Sequence, residues 1–137
     1  MTALIKGIAM FKTLSVIATV GTLAVTLGTV RLTHGAVADG KPLPAGTYQV
    51  QLSEEMPKPA VGQTADSERW VEFVQGGKVI GREVASVISD AEIASHVKGP
   101  RPRANSVRVD TLKGGDYLRV WINKGGNNYL INLRNGR

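Results

Sequence analysis

The chain has 137 residues, with 17 Lys and Arg against 11 Asp and Glu, a net charge of +6, and no cysteine. This excludes disulfide bracing and thiolate chemistry, and the length suits one modest core rather than two. Three basic residues (Lys6, Lys12, Arg31) fall within the first 38 positions, so the remainder carries only 14 − 11 = +3, which argues against nucleic acid as a partner.

From Thr13 to Val30, between Lys12 and Arg31, the chain carries no charge. As a helix this run is about 27 Å long, close to the bilayer's hydrocarbon thickness. The pattern therefore predicts an N-terminal apolar helix, either transmembrane or part of an export signal. For export, Lys6 and Lys12 make a basic start, and Ala36-Val37-Ala38 has the small-x-small form of a cleavage site just before Asp39. For retention, the run exceeds the roughly 7 to 15 residues usual for a signal's apolar region. Its hydroxyls also form a stripe at spacings of three and four: Ser15, Thr19, Thr22, Thr26 and Thr29, with Ala24 and Gly28 as a small-xxx-small step. Leu14, Ile17, Val20, Leu23, Leu27 and Val30 face away from it. Such a stripe suits packing against neighbouring membrane helices. In both cases the lysines stay cytoplasmic and the remainder is delivered outside, and a start at Met10 leaves the direction unchanged. The expected division is residues 1–38 as membrane anchor or signal peptide and 39–137 as an exported β-domain.

Asp39 to Gly46 (DGKPLPAG) reads as an extended lead-in. Thr47 to Leu52 is the first expected strand, with Tyr48, Val50 and Leu52 on the core face. Ser53 to Ser67 contains Pro57 and Pro59 and no periodicity, which predicts a mobile connection or a contact arm. Glu68 to Gln75 and Lys78 to Ile88 should pair as a hairpin through Gly76-Gly77. Ser89-Asp90-Ala91-Glu92 matches a capping box, predicting a helix of about two turns that buries Ile93 and Val97 and stops at Gly99-Pro100. Beyond the basic loop Lys98 to Arg103, strands at Ser106–Leu112, Asp116–Asn123 and Asn128–Leu133, joined at Gly114-Gly115 and Gly125-Gly126, form a meander. Six strands and one short helix predict a mainly β fold, a small antiparallel barrel or sandwich.

Chemistry-bearing residues are sparse. His34 lies beside the expected cleavage site, and His96 sits four residues after Glu92 with no third ligand nearby, so no metal site is expected. No serine lies in a nucleophile elbow, and no glycine pair opens a helix as a phosphate loop does. No catalytic residue, cofactor or enzymatic activity is expected.

Recognition features are richer. Alternation along Asp116 to Asn123 puts Leu118, Val120 and Ile122 on the core face and Tyr117, Arg119, Trp121 and Asn123 on the other. Tyr, Trp and Arg are the types enriched at binding hot spots, which makes Tyr117, Arg119 and Trp121 candidates for a partner face. The alternative is that a loop or the short helix covers Trp121, with Arg119 stacked on its ring. Trp70, beside Glu72, has the same two readings. Arg101 and Arg103 are candidates for an acidic partner or anionic lipid headgroups.

The runs Asp39–Val50 (DGKPLPAGTYQV) and Lys113–Asn123 (KGGDYLRVWIN) resemble small, uncharacterised exported bacterial β-domain proteins. The resemblance implies fold and export and carries no functional residue across. An anchored β-domain of this size is also similar to small accessory subunits at the outer face of photosynthetic reaction-centre and antenna complexes, which implies a structural role. The leading expectation is thus a non-enzymatic, membrane-anchored accessory subunit stabilising an integral membrane protein complex from its periplasmic face, photosynthetic or respiratory. The alternative is a secreted soluble module, released after Ala38, that binds a protein or small ligand.

Overall fold

A computed structural model describes residues 25–55, 57 and 67–136. Among these residues nine strands follow in chain order: β1 (Thr26–Leu32), β2 (Ala36–Ala38), β3 (Lys41–Leu43), β4 (Gly46–Leu52), β5 (Glu68–Gln75), β6 (Lys78–Ser89), β7 (Ser106–Thr111), β8 (Tyr117–Lys124) and β9 (Asn127–Asn135). One helical turn, α1 (Ile93–His96), lies between β6 and β7. Seven strands form a nearly closed antiparallel barrel in the order β1-β4-β5-β6-β9-β8-β7. The β2–β3 hairpin continues along the end of β9, pairing Ala36 with Asn135 and Val37 with Arg134.

Alternation drives this arrangement. Tyr48 and Val50 on β4, Val71 and Phe73 on β5, and Leu118, Val120 and Ile122 on β8 all point into one buried cluster. The Tyr48 and Phe73 rings meet edge to face at 6.2 Å, and Leu43 from β3 reaches the same cluster from one end. The barrel interior is thus filled by side chains, as expected at this strand number. Gln51, expected to be wet, is buried on the outer side, where its amide donates to Glu72 at 2.8 Å.

The expected hairpin and meander are present. Gly76-Gly77 and Gly125-Gly126 take positive φ at both positions, the geometry of a tight primed turn. From Thr26 onward the stretch expected to be an N-terminal helix is strand. Thr26, Gly28 and Thr29, assigned by spacing to a membrane-helix stripe, lie on β1, which pairs with β4 across Thr26↔Gln51 to Leu32↔Gly46. A bulge near Gly28 interrupts the alternation, so the buried residues fall at Leu27, Val30 and Leu32, and the step of three from Leu27 to Val30 is one that a helix also makes. The other stripe members, Ser15, Thr19, Thr22 and Ala24, lie outside the described residues, as does most of the expected arm between β4 and β5. Among the described residues no helix is long and apolar enough to cross a membrane.

Asp39, the first residue of the expected exported domain, lies in a turn of the sheet. Ala36-Val37-Ala38 is β2, with both alanines buried, and Asp39-Gly40 is the two-residue turn to β3, both at positive φ. Pro42 is tolerated on β3 because that strand lies at the sheet's edge. The helix is shorter than expected. Ser89 remains in β6, paired with Asn127, and no side chain caps α1, although Ile93 is buried.

Two outcomes follow. A chain beginning at Asp39 loses Leu27, Val30 and Leu32 from the core, a loss of roughly 5 to 9 kcal/mol at about 1.5 to 3 each, comparable with the whole stability of a small domain; it should show no cooperative unfolding by circular dichroism. Secondly, burial raises the Tyr48 hydroxyl above its ordinary value of 10.0, and that hydroxyl donates to the Pro44 carbonyl. The folded state then holds this proton more tightly than the unfolded one, so its contribution is complete below pH 10.0 and declines as pH rises through the raised value. Urea midpoints measured on both sides of that pH should fall less steeply in Tyr48→Phe than in the parent.

Candidate functional site

The outer faces of β8 and β9 carry the residues with most recognition character, and most of them are closed over. Residues 90–105 run from β6 to β7 as a strap across this face. Its first anchor is Asn128, fully buried, whose side-chain oxygen accepts from Trp121 Nε1 at 2.8 Å. The Asn128 amide donates to Asp90 Oδ1 at 2.8 Å and to the Ile88 carbonyl at 3.2 Å. Asn123, also buried, donates to the Pro102 carbonyl at 2.8 Å, while the Asn105 backbone N–H donates to the Asn123 carbonyl at 2.7 Å.

Arg108 completes the closure. Its guanidinium lies 5.0 Å from the Trp121 ring centre, donates to the Pro100 carbonyl at 2.8 Å, and pairs with Asp110 at 2.9 Å. Trp121 is left 1% exposed, outside the main interior cluster. Of the two readings of Trp121, the covered one describes the indole, and Arg108 takes the stacking place expected of Arg119. Arg108 faces Trp121 directly across the β7–β8 ladder, a pairing that is visible only once the strand register is known. Arg119 itself is half-buried, and its Nε is shielded without a hydrogen-bond partner among the described residues.

Trp70 is covered in a similar way. The Arg82 guanidinium lies 4.1 Å over its ring and is held by Glu55 at 2.6 Å. Trp70 is left half-buried on the outer wall of β5. Arg101 and Arg103 are exposed on the strap, with Arg101 Nε 3.6 Å from Asp90. An ion pair this open contributes little to stability, and both side chains are accessible to a partner.

Tyr117 is the open aromatic among the candidates. It is 47% exposed and pairs across the ladder with Arg134. With Gly114, Gly115, Asp116 and Asn135 the two line a shallow polar cleft of about 660 Å³ at the end of the barrel opposite the strap loop. Asn135 secures the cleft floor: its amide donates to the Gly115 carbonyl at 2.9 Å and its backbone N–H to the Asp116 carbonyl at 2.8 Å. Arg134 was overlooked in sequence because it stands beyond the expected end of the last strand, although its alternation with buried Leu133 was readable.

The two histidines lie at opposite ends of the barrel, His34 just beyond β1 and His96 on α1. Among the described residues no group of three or more His, Cys, Asp or Glu side chains is arranged to hold a metal ion. No family model, curated protein or solved structure matches the chain.

The Asn128 junction has a measurable weight. Asn128→Ala strands the Trp121 N–H and the Asp90 carboxylate, and should lower the unfolding free energy by roughly 1 to 3 kcal/mol in urea titrations followed by tryptophan fluorescence. Tyr117→Ala, at an exposed position, should change it by less than about 0.5 kcal/mol.

Proposed function

We propose that this protein is a non-enzymatic module that works outside the cytoplasm by binding another protein, an accessory or structural component of a larger assembly. The observation that carries this reading is a barrel filled to its axis while one aromatic–arginine pair is left open on its outside. Tyr48, Phe73, Leu43, Ile131 and Leu133 are all fully buried in the interior cluster. Recognition then falls to the surface, and the cleft beside Tyr117 and Arg134 combines a rigid aromatic with a guanidinium, two of the side-chain types enriched at protein-binding hot spots. Its polar lining suits a partner that offers carboxylates and backbone carbonyls.

Between the anchored and the released forms, β1 favours the released one. The strand takes Thr26 to Val30 out of the uncharged run and leaves only Thr13 to Val25. As a helix that remnant is about 20 Å long, short of a hydrocarbon core of about 30 Å. In the anchored reading, the partner class is the integral membrane complex implied by the resemblance to photosynthetic accessory subunits.

Site-specific photo-crosslinking in the native cell tests the surface. A probe at Tyr117 should give a discrete protein adduct that Arg134→Glu abolishes, while a probe at Gln49, exposed on the opposite wall, gives none. Equal labelling from both positions, or no adduct at Tyr117, would count against the reading.

A further inference from the structure

The start of β1 fixes where an export signal can end. Strand pairing is already under way at Val25, whose carbonyl accepts from the Leu52 N–H at 2.9 Å, and burial begins at Leu27. Val25 itself is 54% exposed. A cut on its C-terminal side soon removes core, whereas a cut on its N-terminal side leaves every described strand whole.

Between Lys12 and β2 four tripeptides have the small-x-small form with Ala or Gly in the last place: Thr19-Val20-Gly21, Thr22-Leu23-Ala24, Thr26-Leu27-Gly28 and Thr33-His34-Gly35, the last of which would remove the whole of β1. Cleavage after Gly28 removes buried Leu27 and the first residues of β1. Cleavage after Gly21 leaves only Thr13 to Ala18 as the apolar stretch ahead of the tripeptide, shorter than the roughly 7 to 15 residues that signals use. Cleavage after Ala24 has neither fault. The stretch ahead of its tripeptide, Thr13 to Gly21, falls within that range and follows Lys6 and Lys12, and the cut lies one residue before the strand.

We infer that the Ala24–Val25 peptide bond is a signal-peptidase cleavage site. This rests on the export part of the proposed function and adds the processing step to it. Water supplies the nucleophilic oxygen at the Ala24 carbonyl carbon, the C–N bond breaks, and the products are an Ala24 carboxylate and a new ammonium group on Val25. The mature chain then begins at Val25.

The test is production of the full chain in a bacterium with an active export pathway, followed by fractionation, intact mass and N-terminal sequencing. The expected result is an extracytoplasmic protein beginning at Val25, with Ala24→Arg causing loss of that product and accumulation of a longer, membrane-held precursor. A parent chain delivered outside but intact, or beginning at any other residue, overturns the site and leaves the exported binding module standing. An Ala24→Arg chain still processed to Val25 also overturns it. A parent chain found uncut in the cytoplasm overturns both the site and the export reading.

Discussion

Seven strands joined only by antiparallel ladders cannot close on themselves with one more antiparallel ladder. After six such pairings the first and last strands, β1 and β7, run in the same direction, and no ladder joins them among the described residues. Side-chain packing closes the seam instead. A Cβ on Gly28 would lie 2.7 Å from Val107 Cγ2, so the approach of the two edges depends on glycine at that position. Holding β1 against one ladder and one packed seam is what makes the bulge useful. It turns the strand so that Leu27, Val30 and Leu32 all reach the interior.

The strap solves a different problem on the outside. Trp121 projects from the face opposite the aliphatic row, and an exposed indole there would extend an apolar surface with its N–H available to any acceptor. Asn128, Asn123 and Arg108 instead fasten residues 90–105 over it, each using strap carbonyls or carboxylates as partners. Because the network is satisfied, burying it carries little of the penalty that an unpaired polar group would impose. The result is a second, smaller core outside the barrel, and a protein whose open aromatic surface is concentrated at one end.

What could be read from the residues divides along the same lines. Strands with strict alternation and Gly-Gly turns, such as β5–β6 and β8–β9, were legible because period and turn chemistry agree. β1 was illegible for a definite reason: its bulge sets Leu27 and Val30 three apart, a step that a helix also makes, in a run already lacking charge. Asp39-Gly40 was a strong hairpin signal, but Ala36-Val37-Ala38 fits a peptidase motif and a short buried strand equally well. At the candidate surface the residue types were visible in advance. Which of them are covered was not, because the Arg108–Trp121 and Tyr117–Arg134 pairings depend on cross-strand register.

Strand direction also gives the molecule poles. β1 and β9 both start at the strap end, so Val25 lies at one pole while Gly136, bonded to the Gly35 carbonyl, lies at the other beside the Tyr117 cleft. At about 3.3 Å per residue, β9 alone separates the two by up to about 30 Å. A fluorescent protein or bulky affinity handle appended after Gly136 would crowd the cleft, whereas immobilisation through Val25 would leave that cleft pointing away from the support.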